Sequence, residues 1–101
     1  MRQFDVYQNG STAQAFAPFL VVLQSHHLDV LDTVIVAPLI RDAALGLSLV
    51  DLAVDFANET LVLALSELSS VERRLLRKRE GDLLYLEDEI RPAVERLFTG
   101  F

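Results

Sequence analysis

A chain of 101 residues, 51% of them apolar, has room for one hydrophobic core and not two. Its net charge of −6 disfavours a nucleic-acid phosphate backbone as the main partner, and the absence of cysteine excludes disulfides and thiolate metal sites. The apolar runs fall short of the roughly 20 residues of a membrane span, and the opening Met1-Arg2-Gln3-Phe4-Asp5 lacks the apolar stretch of a signal peptide. The expectation is a single soluble, cytoplasmic domain over 1–101, with enough apolar surface for a homodimer.

In chain order, Gln3-Phe4-Asp5-Val6-Tyr7 alternates apolar and polar residues, as a half-buried strand does. Asn9-Gly10-Ser11-Thr12 is a turn signal. Phe19-Leu20-Val21-Val22-Leu23 is continuously apolar and predicts a strand covered on both faces. Thr33-Val34-Ile35-Val36 is β-branched throughout, and Pro38 predicts that this strand ends there or lies at an edge. Residues 40–48 show no clean period.

Val50, Leu52, Val54 and Phe56 alternate with polar or small residues, and Leu61, Leu63 and Leu65 do the same. The connection Ala57-Asn58-Glu59 predicts a three-residue hairpin turn. Residues 69–80 admit two readings. Ser69 with Glu72 spells a capping box, which favours a helix, and a strand over 71–77 competes with it. Leu86, Ile90, Ala93, Val94 and Leu97 then recur on one face of a helix. Asp88 is its expected cap, which puts Pro92 near the first turn. Gly100 is the stop. Strands first and a helix last predict a mainly β fold, a twisted antiparallel sheet or small barrel with a C-terminal α-helix.

Few residues suggest chemistry. His26, His27, Asp29 and Asp32 form the only polar cluster with ligand-type side chains. Neighbouring side chains of an extended segment point to opposite sides, and no third histidine exists to complete a zinc site. No nucleophile elbow or glycine-rich phosphate loop is present. The expectation is therefore no metal, no cofactor and no enzyme. Arg73, Arg74, Arg77, Lys78 and Arg79 are five of the nine basic residues, leaving four against 15 acidic ones. That run is a solvated face, a nucleic-acid patch, or a dock for an acidic segment. The chain closes on Leu97-Phe98-Thr99-Gly100-Phe101. Two phenylalanines this near a terminus either fold back on the core or wait for a partner.

The residues resemble a family. Gln3-Phe4-Asp5-Val6-Tyr7 resembles the QF-x-VY start of the CcdB toxins. Phe19-Leu20-Val21-Val22-Leu23-Gln24-Ser25-His26-His27-Leu28-Asp29 is similar to that family's FVDVQSDIID. Val36-Ala37-Pro38-Leu39 is similar to its VIPL, and Ile90, Ala93, Phe98 and Gly100 fit its closing INLMFWGI. The four pieces stand in order over nearly the whole chain, least well at 8–16 and 40–49.

The resemblance implies a homodimer of SH3-like barrels, each with a C-terminal helix, encoded on a plasmid or chromosome in a toxin–antitoxin module. It implies binding to the A subunit of DNA gyrase, trapping of the cleaved-DNA complex, and removal by a cognate antitoxin with an acidic disordered tail. Contact with operon DNA would be indirect, through the antitoxin. The family's gyrase contacts correspond to Glu95, Phe98, Thr99, Gly100 and Phe101, with His27 and Leu28 beside them. Arg73, Arg74 and Arg77 are the residues expected to dock the antitoxin. The family's best-known tail has tryptophan at the position of Thr99 and a neutral residue at that of Glu95.

Overall fold

The computed structural model describes residues 1–25, 30–41 and 50–100. Among these lie seven strands: β1 (Asp5–Asn9), β2 (Phe19–Val22), β3 (Thr33–Ile40), β4 (Leu52–Phe56), β5 (Glu59–Leu63), β6 (Ser69–Glu72) and β7 (Leu76–Asp82). One α-helix, α1 (Glu87–Thr99), follows them. The expected architecture is present: a single antiparallel sheet, curled into a half-barrel, and a C-terminal helix.

The sheet runs β4-β5-β3-β2-β1-β7, with β6 also paired to β3. Strand β3 is the spine. Its first half, Thr33–Val36, pairs with β6, and Leu39 and Ile40 pair with β5. Its other edge belongs to β2. Odd-numbered Ala37 and Leu39 face one side with Val21 from β2, and Ile90 and Ala93 of α1 join the cluster there. Even-numbered Val34 and Val36 face the other side with Leu20 and Val22. The unbroken apolar runs of β2 and β3 follow from this burial on both faces. On the helix side, Phe19 and Phe56 meet edge to face at 5.1 Å, closing the open end of the curl.

The loop after β1 is fixed by a buried side chain. Asn9 Nδ2 donates to the Ala17 carbonyl at 2.9 Å, and its Oδ1 accepts the Ser11 N–H at 2.9 Å. Both polar ends of a buried residue are thereby satisfied.

Four local expectations are corrected. Strand β1 begins at Asp5, because Phe4 takes a positive φ of 72° that breaks the extended run before it. Strand β3 continues past Pro38. The Pro38 carbonyl accepts the Ala64 N–H at 3.0 Å, and a strand residue's N and C=O point to the same side. The missing N–H therefore faces the gap where β6 gives way to β5, where a ladder bond is not lost. The hairpin turn has two residues, not three: Phe56 pairs with Glu59, and Ala57 and Asn58 have φ of 52° and 63°. Two positive φ values give the primed turn that matches strand twist. Helix α1 begins at Glu87, directly after a 3₁₀ turn over Leu84–Leu86, and Asp88 does not cap it. Glu87, Asp88 and Glu89 all lie in the first turn, at the positive end of the helix dipole. Pro92 is thus inside the helix, on its exposed side.

Residues 69–80 form β6, a 3₁₀ turn at Arg73–Leu75, and most of β7. The edges of β3 and β1 need hydrogen-bonding partners, and Val71 and Leu76 pack under the second face of the sheet. Those demands override the helical preference of the arginines. Strand β7 carries two irregularities against β1. Val6 pairs with Gly81 and Tyr7 with Arg79, leaving Glu80 as an extra residue, and another shift falls between Tyr7 and Asn9.

Candidate functional site

Helix α1 places its last turn beside the start of β3. Phe98 projects from that turn with 71% of its surface exposed. It lines an apolar groove of about 160 Å³ with Val94, Leu23, Gln24, Ile35 and Leu68. Ile35 shares the odd face of β3 with Ala37 and Leu39, and at this end of the strand it is 40% exposed beside the last turn of the helix. Burying an exposed phenylalanine is worth on the order of 2–3 kcal/mol, so this face gains by covering.

A second hollow of about 190 Å³ shares Leu23 and Val94 with the first and continues along α1 past Gln3, Phe4, Arg91 and Glu95. Its wall is rigid. Arg91 Nη2 donates to Gln3 Oε1 at 2.9 Å, its Nε donates to Glu87 at 3.1 Å, and its guanidinium stands 5.2 Å over the Phe4 ring. Gln3 Nε2 in turn donates to the Leu23 carbonyl at 2.7 Å. At the groove's far lip, Gln24 Oε1 accepts the Ile35 N–H at 3.0 Å, replacing a backbone carbonyl at the end of the β2–β3 ladder. The Gln24 Nε2 is buried and has no partner among the described residues.

The end of the helix is shaped by two bonds. The Thr99 hydroxyl donates to the Glu95 carbonyl at 2.8 Å, and the Gly100 N–H donates to the Arg96 carbonyl at 2.8 Å. Gly100 has φ of 79°, the left-handed cap in which glycine is favoured. Of the residues expected at the gyrase contact, Glu95, Phe98, Thr99 and Gly100 are together on this last turn, with Glu95, Phe98 and Thr99 exposed. His27, Leu28 and Phe101 lie outside the described residues. Ile35, Leu68 and Val94 also line the groove and were not among the contact residues expected from the sequence. Ile35 has the same parity as the core residues Ala37 and Leu39, so no local pattern marks its exposure.

The three arginines expected at the antitoxin dock differ in their local partners. The Arg73 guanidinium donates to the Leu31 carbonyl, and its backbone N–H donates to Asp32. Arg74 Nε donates to Glu72 at 2.7 Å. Arg77 is exposed and makes no hydrogen bond or ion pair among the described residues. Its side chain crosses Gly10 so closely that a Cβ there would sit 2.6 Å from Arg77 Nε. Farther along β7, Arg79 bonds the buried Asp5 at 3.0 Å, and this hydrogen bond together with the Asp5 charge raises the guanidinium above its ordinary pKa.

The family model described as CcdB protein matches residues 3–100. The chain belongs to the CcdB family. It is accordingly a protein of the toxin class of toxin–antitoxin systems. No curated protein matches the chain.

Solved structures share its fold. One is an endoribonuclease in complex with its cognate antitoxin from Mycobacterial species, with TM-score 0.78 and 9% identity over 97% of this chain and 94% of that one. Another is the Mycobacterium tuberculosis toxin MazF-mt6, with TM-score 0.76 and 18% identity over 93% and 95% of the two chains. These likenesses correct the expectation that the chain is no enzyme, because its fold also houses proteins named as endoribonucleases. A motif scan sees only residues close in sequence, whereas a curled sheet brings distant side chains together. Among the described residues no helix is long and apolar enough to cross a membrane.

Proposed function

We propose that this CcdB-family toxin, acting as one domain over 1–101, binds the A subunit of DNA gyrase through the end of α1 and traps the enzyme on cleaved DNA. The observation that carries the reading is Phe98, an aromatic left 71% exposed above an apolar groove on the last helical turn. A large side chain held ready on a rigid wall is what an interface anchor requires. Glu95, Thr99 and Gly100 surround it, and His27, Leu28 and Phe101 are the remaining contacts the family implies. The working unit is a homodimer, which an acidic antitoxin tail removes from gyrase. Operon DNA is bound through the antitoxin.

One observation favours a second reading. Thr99 stands where the family's best-known tail has tryptophan, and its hydroxyl is turned back onto Glu95. A tail without that ring supports a dimer of the same fold that binds antitoxin and serves operon autoregulation without poisoning gyrase.

The test is supercoiling by purified gyrase with the protein added. Inhibition together with trapped, cleaved DNA supports the first reading. Unchanged supercoiling at micromolar protein, with antitoxin binding intact, overturns it in favour of the second.

A further inference from the structure

We propose that the outer edge of β7 accepts an extended acidic peptide as an added strand. The inference rests on the reading that this toxin has an acidic-tailed antitoxin, and it says where and how such a tail docks.

Strand β7 pairs on one side with β1, and among the described residues nothing pairs with its other side. Arg77, Lys78, Arg79 and Glu80 of this strand are all exposed. An unpaired strand edge presents backbone donors and acceptors that another extended chain can complete. The charge of the edge selects the occupant. Arg74, Arg77, Lys78 and Arg79 gather on this strand and the turn before it, in a chain whose net charge is −6. Three of these cations have local acidic partners at exposed or half-exposed positions: Arg74 with Glu72, Lys78 with Glu80 at 3.9 Å, and Arg79 with Asp82 besides Asp5. Arg77 has none among the described residues and stands ready for a carboxylate.

A second copy of β7 is a poor occupant. Laid antiparallel, it would set Arg77-Lys78-Arg79 against its own cations, and like charges directly opposite are destabilising. The two irregularities in β7 also twist the edge away from a flat match with itself. The features that keep copies apart thus leave the edge open to a strand of opposite sign.

The experiment uses the full chain and two synthetic peptides, one alternating glutamate with valine and one with glutamine in place of each glutamate. Backbone amide exchange is followed residue by residue, and affinity by calorimetry. The glutamate peptide is expected to bind and to slow exchange of amides within Leu76–Asp82, and the glutamine peptide to bind more weakly. Arg77→Glu with Lys78→Glu should weaken the glutamate peptide roughly tenfold or more, since two favourable charge contacts become repulsive. The milder pair Arg77→Gln with Lys78→Gln keeps the test readable if the reversal disturbs folding. Protection at the Phe98 groove instead of β7, or binding without any protection of β7 amides, overturns the proposal. So does self-association through β7. The antitoxin partnership itself is read separately, by co-purification with the neighbouring gene's product. If the product co-purifies equally well with the Arg77→Gln, Lys78→Gln variant, the partnership stands and the β7 placement falls.

Discussion

Asp5 and Arg79 are joined across the β1–β7 ladder by a 3.0 Å charged hydrogen bond, with the carboxylate buried and the guanidinium half exposed. Asp5 also accepts the Arg2 N–H at 2.8 Å, so one side chain ties the first residues to the last strand. Asp5→Ala leaves that amide without its partner and is expected to cost about 1–3 kcal/mol. Asp5→Asn, which keeps an acceptor, should cost less. Urea denaturation of the two variants checks the order. Equal stability of Asp5→Ala and the parent would show that the pair contributes nothing.

Phe98→Ala removes the anchor without touching the core, because the ring is mostly in solvent. Its melting temperature should stay within a few degrees of the parent, consistent with the small effects of surface substitutions. Its gyrase affinity should fall by a hundredfold or so, as about 2–3 kcal/mol of hot-spot burial implies. Retained inhibition of supercoiling would move the contact elsewhere.

Thr99→Trp tests the second reading directly. The substitution breaks the 2.8 Å bond to the Glu95 carbonyl and sets an aromatic ring at the tip of α1. If the tail contacts gyrase, stacking of that ring should tighten binding several-fold, since it is worth about 0.5–1.5 kcal/mol beyond burial. Pull-down affinities for parent and variant give the answer, and an unchanged value removes Thr99 from the interface.

Asn58→Gly probes the hairpin. Both turn residues have positive φ, which glycine adopts without strain. Relief of the positive φ in a primed turn, set against the extra freedom of glycine in the unfolded chain, should stabilise the protein by no more than a few tenths of a kcal/mol. A lower thermal midpoint would contradict the turn assignment.

Some proteins that share the fold are named as endoribonucleases, so cleavage of RNA is a direct assay for the basic run of residues 73–79. If the basic run guides RNA, Arg73→Ala, Arg74→Ala and Arg77→Ala together should abolish cleavage by the purified protein. Cleavage that persists in the triple variant would place RNA on another face.

Where one residue pattern answers to one physical demand, the sequence was legible. The double-sided burial of β2 and β3, the alternation of β4 and β5 and the apolar stripe of α1 are such cases. Legibility failed where a distant partner decides. Pro38 is tolerated in mid-strand only because β6 and β5 exchange places opposite it. Ser69 and Glu72 spell a capping box, yet the edge of β3 recruits them as a strand. The groove was half legible: Phe98 stood out as a terminal aromatic, whereas Ile35 and Leu68 join it through pairings that no local period records. The resemblance supplied the family and named Thr99 as its point of departure.

The pairing of Asp5 with Asp82 has a consequence for the birth of the molecule. Strand β1 leaves the ribosome early, yet the ladder it needs is made only when β7 follows, nearly the full chain later. Strand β3 likewise waits for β5 and β6. Contacts this distant along the chain place the protein at the slow end of small-domain folding. The sheet therefore cannot close until β7 has emerged, whereas a helical bundle of the same size can begin from contacts within the part already made.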